Sequence, residues 1–283
     1  AGIKKNDEVI QPPISFIATT GATVHVGAKP VYCDVGDDQL IDVKKIESCI
    51  TKKTKVIMPV HWAGKICDMD AIMKIAKKYN LIVIEDSAQS MGSYYNGKHG
   101  GTFGLAGAIS CHPLKNLNAL GDGGLLLTDN KMVAEKVKLM RNHGIKSRDN
   151  VTMYGINSRL DSLNAEVLKM RLKKLKNIIS RRRRNAKLYQ KLIKTSNVKF
   201  INTPDNRKDA YVMFIVLAKQ RDKLQKFLKD FGIETLVYYG TPLHLHKSAK
   251  ILGYKRGDFP EAEKQCKEVL ALPHHQHLSE KQI

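Results

Sequence analysis

Two segments carry side chains that could do chemistry together. Ile84-Glu85-Asp86-Ser87-Ala88-Gln89 closes an apolar run with an acid and an amide, and Ser110-Cys111-His112-Pro113-Leu114-Lys115-Asn116 supplies a hydroxyl and an amine. A carboxylate can pair with a pyridinium nitrogen, and a lysine amine can condense with an aldehyde. Acid, amide, hydroxyl and amine offered from separate strand ends are the set needed to hold pyridoxal phosphate. An enzyme is therefore the leading reading.

The elements that must position these groups alternate. Strand-like runs at Pro30 to Cys33, Lys55 to Val60 and Leu81 to Ile84 are interleaved with helical patterns at Val43 to Ile50 and Met69 to Tyr79. In the second helix Met69, Ile72, Met73 and Ala76 recur at helical spacing, with Asp68 at the N-cap position. This rhythm predicts an α/β fold, a mainly parallel sheet flanked by helices, with the ligand site at the carboxyl ends of the strands. From Leu160 a long helical pattern through Leu163, Val167, Met170, Leu172, Leu175 and Ile178 runs into Arg181-Arg182-Arg183-Arg184. A strand at Ala210 to Leu217, a helix from Asp222 to Phe231 closed by Gly232, and a helix after Pro260 follow. The expected division is a large cofactor-binding unit, 1–160, and a connecting helix with a smaller C-terminal α+β unit, 161–283.

Composition sets wide bounds. The 283 residues are 42% hydrophobic and 27% charged, as in an ordinary globular protein, and the net charge of +21 attracts anions of any kind. No apolar stretch approaches a bilayer crossing, no leader is visible at the start, and the five cysteines form no CxxC pair, so a cytoplasmic protein with free thiols is expected. His274, His275 and His277 have no carboxylate or cysteine beside them at ligand spacing, and no metal site is assigned. The glycines at 97, 100, 101 and 104 read as a flexible turn. The four arginines read as the exposed part of a helix, with attraction of a substrate diphosphate as the alternative.

Further stretches join these in order: Pro59-Val60-His61, Asp68-Met69-Asp70, Gly121-Asp122-Gly123-Gly124, Gly155-Ile156-Asn157-Ser158-Arg159-Leu160, Pro242-Leu243-His244 and Leu272-Pro273. Together they resemble the sugar-nucleotide aminotransferases of the DegT family, pyridoxal-phosphate enzymes of fold type I, through nearly the whole chain. The resemblance implies that Lys115 forms the Schiff base and moves the proton, Asp86 pairs with the pyridinium nitrogen, Gln89 contacts the ring hydroxyl, Ser110 binds the phosphate and Phe16 stacks on the ring. It implies that Asn157 reaches the phosphate of a neighbouring subunit, which makes a homodimer with shared sites necessary for activity. His61, His143, Tyr239 and His244 border the family's substrate pocket and are candidate contacts.

The implied reaction moves an amino group from an amino acid, L-glutamate by family habit, to a keto group of a nucleotide-linked hexose. Ser158 between Asn157 and Arg159 resembles members acting at carbon 3, where those acting at carbon 4 more often carry an aromatic residue. A sugar dehydratase is the alternative within enzymes, but such relatives have a histidine at the position of Lys115. A regulatory or nucleic-acid-binding protein on the same scaffold is the other; no helix-turn-helix, zinc or RNA-binding signature supports it. Family members also begin with a helix and a Gly-Thr phosphate loop and end with one more helix. Neither is recognisable here, where the chain opens at Ala1-Gly2-Ile3 and stops soon after Leu278-Ser279-Glu280.

Overall fold

A computed structural model describes residues 1–283. Its first half is built from β1 (Glu8–Gln11), α1 (Ile17–His25), β2 (Lys29–Tyr32), α2 (Val43–Ile46), β3 (Thr54–Ile57), α3 (Met69–Lys78) and β4 (Ile82–Asp86). The hairpin of β5 (Tyr94–Tyr95) and β6 (Lys98–His99) follows, then β7 (Ala106–Ser110) and β8 (Gly124–Leu127). Six of these strands form one sheet in the order β2-β1-β3-β4-β7-β8, parallel except for β8 against β7. That is the mainly parallel sheet expected from the alternating pattern. Ile10 and Ile57 lose all exposure at its centre, as a sheet covered on both faces requires. α3 shows how the sequence sets an element: Met69, Ile72 and Ala76 line its buried face, and the Asp68 carboxylate accepts the Ala71 N–H at 3.2 Å.

α1 has no counterpart in the sequence expectations. Its buried residues are Thr19, Thr20 and Thr23, so the inward face is polar and the apolar repeat that betrays a helix is missing. α2 is also shorter than expected and passes into a 3-10 turn at Glu47–Cys49.

The second half contains α4 (Lys131–Met140), the hairpin of β9 (Ile145–Ser147) and β10 (Asn150–Val151), and the long α5 (Ser162–Leu192). Then come β11 (Val198–Phe200), β12 (Arg207–Lys208), β13 (Phe214–Ala218), α6 (Arg221–Asp230), α7 (Pro260–Glu268) and β14 (Val269–Leu272). β11, β13 and β14 form an antiparallel sheet, while β12 joins the β5–β6 hairpin. Pro260 opens α7 at its first turn, and Gly232, at φ 74°, follows α6 where a left-handed residue is needed. The largest core cluster holds 26 residues and runs from Ile10 to Ala271, so both halves share it.

The arginine run differs from both of its expected uses. Only Arg181 and Arg184 are exposed. Arg182 is buried and donates to the carbonyls of Tyr211, Val212 and His274, at 3.0, 3.2 and 3.3 Å. Arg183 reaches the carbonyls of Asp209 and Gly92, at 2.7 and 3.0 Å. A planar guanidinium with five donors suits loops that leave several carbonyls unpaired. These arginines tie α5 to the chain around 209–212 and 274, and burial brings Arg182 down to about 10.

Candidate active site

Residues alternate in direction along a strand, and the end of β4 uses both directions. Glu85 points into the protein and is fully buried. Its carboxylate accepts N–H groups from Gly101 (2.7 Å), Phe103 (2.7 Å) and Gly104 (2.8 Å) and is bonded to the His61 ring at 2.9 Å. Burial alone would raise this carboxyl, but His61 and the glycine N–H groups hold it below its usual value. The glycine-rich segment is therefore a packed clasp on Glu85, where a flexible turn was expected. Close contact requires glycine here: a Cβ on Gly104 would stand 2.3 Å from the Val83 carbonyl oxygen, and one on Gly107, on the adjoining β7, 2.3 Å from that of Gly101.

Asp86 points the other way. One carboxylate oxygen accepts the Thr19 hydroxyl at 2.6 Å and the other accepts the Ala88 N–H at 3.2 Å. Asp86 pairs with Ala108 on β7, so Ser110, two residues further along β7, lies on the same face of the sheet. The chain then turns through hydrogen bonds from His112 N to Ser110 Oγ (3.2 Å) and from Lys115 N to His112 O (2.8 Å). The Asn116 side chain anchors the turn on the Ala210 carbonyl at 3.0 Å. Lys115 is half-buried and its amine has no hydrogen-bond partner in the protein. Burial lowers its pKa from the ordinary lysine value, and the charge of Asp86 acts in the opposite sense.

Gln89 is buried and its Oε1 accepts the Ala63 N–H at 2.7 Å, which leaves the amide nitrogen an unused donor. Phe16, 57% exposed, precedes α1, and its ring centroid lies 6.3 Å from that of Tyr239. Burial, Tyr238 and Asp86 push the Tyr239 hydroxyl up to about 12. Asp86, Lys115, Phe16 and Tyr239 thus meet in one place, with Ser110 and Gln89 beside them on the same strand ends.

Two expected substrate contacts are elsewhere. His61 has no exposed surface: its Nε2 faces Glu85, and its Nδ1 accepts the Cys67 N–H at 3.3 Å. His244 is equally enclosed, with its ring 4.7 Å from Phe259 and its Nε2 3.1 Å from Glu263 Oε1. Both rings are enclosed in the protein interior. His143 and Asn157 are exposed on one outlying segment, where the His143 N–H bonds the Ile156 carbonyl at 3.0 Å and Asn157 pairs with Asn142. The Asn157 side chain accepts from Arg159 at 3.0 Å and makes no bond to Asp86, Ser110 or Lys115 of its own chain. Thr19 was missed in the sequence because it sits in a helix that has no apolar stripe.

A parallel sheet that presents an acid and an unpaired, desolvated lysine at adjacent strand ends defines a fold-type I transferase scaffold, with residues that fit pyridoxal phosphate. The whole chain, residues 1–283, matches the family described as DegT/DnrJ/EryC1/StrS aminotransferases, and the protein belongs to that family of pyridoxal-phosphate-dependent enzymes. It is 43% identical over 286 residues to a "Pleiotropic regulatory protein" of Geobacillus stearothermophilus, covering 100% of this chain and 77% of the relative. It is 39% identical over 268 residues to the dTDP-3-amino-3,6-dideoxy-alpha-D-galactopyranose transaminase of Aneurinibacillus thermoaerophilus, covering 94% of this chain and 73% of that one. The crystal structure of S. venezuelae DesV in complex with a ketimine intermediate superposes with a TM-score of 0.96 at 34% identity, covering 99% of this chain and 76% of that one. No helix here is long and apolar enough to cross a membrane.

Proposed function

We propose that this aminotransferase transfers the amino group of an amino acid, L-glutamate, to the keto carbon of a nucleotide-linked hexose, at carbon 3. The observation that carries the reading is the unpaired, partly desolvated Lys115 amine beside an Asp86 carboxylate that Thr19 holds in place. When bound, pyridoxal phosphate supplies an electron sink for the charge that develops on the substrate carbon. In this reading Lys115 would hold the cofactor through its aldehyde, and its amine would carry the proton. Asp86 keeps the ring nitrogen protonated, Gln89 donates its free amide N–H to the ring hydroxyl, Ser110 binds the phosphate and Phe16 covers a ring face.

Tyr239, next to Phe16 and Asp86, remains a candidate substrate contact, and so does His143. Asn157 is read as serving the neighbouring subunit of a homodimer. Support comes from its exposure together with Tyr154, Ile156, Leu163 and Met170, a concentration of apolar surface that suits burial against a second copy. We read residues 1–160 as the cofactor-binding unit, 161–283 as the connecting helix and smaller unit, and the cytoplasm as the location. Carbon 3 is supported by the small, exposed Ser158 and by the Aneurinibacillus relative, whose name places its amine there.

The test is to incubate the protein with pyridoxal phosphate, glutamate and matched 3-keto and 4-keto nucleotide sugars. An amine located at carbon 3 by NMR is expected. Amination only at carbon 4 would reverse the regiochemistry, and no amination of any sugar would remove the substrate class. The name of the Geobacillus relative favours a second reading, a regulator on the same scaffold. A protein that binds the cofactor but turns over no amino donor would support it.

A further inference from the structure

The three buried threonines of α1 fall into two sets. Thr20 and Thr23 serve the scaffold: Thr20 bonds Gln11 at 2.6 Å and Tyr32 at 3.0 Å, and Thr23 donates to Gln11 Oε1 at 3.1 Å. Thr19 faces the site, where its hydroxyl donates to Asp86 Oδ2 at 2.6 Å. Behind it stands Ser15, 4% exposed, with its Oγ 2.6 Å from Thr19 Oγ1 and no other hydrogen-bond partner.

The direction of this hydroxyl chain is set at its end. A carboxylate only accepts, so the Thr19 proton lies on the Asp86 side and the Thr19 oxygen is left to accept from Ser15. The chain therefore runs from Ser15 through Thr19 to Asp86, and each donor polarises the next. A threonine in a helix has a second choice for its hydroxyl, the carbonyl one turn back. Thr23 takes it, reaching the Thr19 carbonyl at 3.5 Å. Thr19 does not, and the hydrogen bond from Ser15 favours the rotamer that faces Asp86. The main chain here does not depend on the Ser15 hydroxyl: the Thr19 N–H bonds the Phe16 carbonyl at 3.2 Å, and the Pro13 carbonyl accepts the Leu243 N–H at 2.8 Å.

We propose that Ser15 is a positioning residue for the cofactor ring, acting through Thr19 to hold the Asp86 carboxylate, on the reading that Asp86 pairs with the ring nitrogen. Ser15 itself touches neither cofactor nor substrate. Without its hydroxyl, Thr19 is free to turn toward the carbonyl one turn back, and Asp86 Oδ2 loses its donor. The effect should be felt at the ring nitrogen and not at the other contacts of the ring.

The experiment measures, by calorimetry on the cofactor-free protein, the binding of pyridoxamine phosphate, which forms no covalent bond with Lys115. A second probe is its analogue with C–H in place of the ring nitrogen. Ser15→Ala should weaken pyridoxamine phosphate roughly two- to tenfold, the effect of one lost hydrogen bond, and leave the affinity of the analogue unchanged. Ser15→Thr should bind both probes as the unmodified protein does. Ser15→Cys, which keeps the volume but donates weakly, should behave like Ser15→Ala. In a Thr19→Val background Ser15→Ala should add nothing. Equal weakening of both probes would mean that Ser15 only supports the fold and would overturn the proposal, as would an effect that persists without the Thr19 hydroxyl. Asp86→Asn separates the premises. If it weakens pyridoxamine phosphate and Ser15→Ala does not, the role of Ser15 alone falls; if it leaves both probes unchanged, the pairing of Asp86 with the ring nitrogen falls and the role of Ser15 with it.

Discussion

A lysine that must act as a nucleophile needs to shed its proton, and the position of Lys115 favours that. Burial lowers its pKa from 10.5, while Asp86 resists the change. The neutral amine therefore appears at lower pH than for a surface lysine. Capture of added pyridoxal phosphate by the cofactor-free protein, followed by its visible absorption, should speed up as pH rises and level off below pH 10.5. Lys115→Ala should abolish both the absorption and transamination, and a plateau no lower than that of a free lysine would contradict the assigned environment. Asp86 gives the companion prediction. Asp86→Asn keeps the shape but loses the charge and should reduce kcat roughly 10²–10³-fold with the cofactor still bound, by analogy with removing one positioned group from a water-poor site. Thr19→Val removes a hydrogen bond to a charged group, about 1.5–3 kcal/mol, and should cost roughly ten- to a hundredfold. Thr19 is a positioning residue, so Thr19→Ser should restore most of the rate.

The difference between these residues and the misplaced histidines is physical. Asp86, Ser110 and Lys115 were legible because an acid, a hydroxyl and a lysine at strand ends in this fold class open on the site. His61 lies beside a strand end too, but sequence spacing alone does not tell which way a side chain next to such an end points. Its partners Glu85 and Cys67, and Glu263 for His244, are set by tertiary packing.

At the level of elements, the strand and helix alternation, the Asp68 cap of α3, Gly232 after α6 and Pro260 at the start of α7 were all legible, because each rests on a local rule. α1 was not, since its buried face is made of threonines that bond Gln11, Tyr32 and Asp86 in place of packing hydrocarbon. The glycine clasp was illegible for another reason: what these glycines approach is backbone of β4, for Gly104, and of the clasp, for Gly107 on the adjoining β7. Gly107→Ala would force a methyl to within 2.3 Å of the Gly101 carbonyl oxygen, displacing an N–H that Glu85 uses. Urea unfolding should show a loss of about 1–3 kcal/mol, as for overpacked cores. Gly21→Ala is the contrast, in α1 with nothing within 4 Å and no positive φ. It should be neutral or stabilising by about 0.4–1 kcal/mol. The lowered pKa of Glu85 fixes the sign of its pH effect: its contribution is present above the unfolded carboxyl value and is lost as pH falls through the folded one.

For the whole molecule, the charge of +21 is partly an internal resource. Arg182, Arg183, Arg207 and Arg221 all donate to backbone carbonyls, and Lys65 is buried with its amine on the Asp38 carbonyl at 2.8 Å. Those cations hold the chain together and are not free to attract a polyanion. One exposed stretch is rich in apolar side chains: Val151, Tyr154 and Ile156 before Asn157, and Leu163, Met170 and Leu172 on the first turns of α5. Asn157 is exposed within that stretch and makes no bond to its own chain's Asp86, Ser110 or Lys115, and the proposed role in a neighbour's site can be tested directly. The prediction follows from symmetry. In a two-fold dimer with shared sites, one subunit carrying Lys115→Ala and another carrying Asn157→Ala place both defects in one site and leave the other intact. Each variant alone should be inactive or nearly so, while mixed dimers formed after dissociation and reassociation should recover up to about half the activity of the unmodified dimer. Recovery is to be measured on hybrids isolated by differential tags. Hybrids no more active than the parent variants would mean that each site is built within one chain and that Asn157 serves a different purpose.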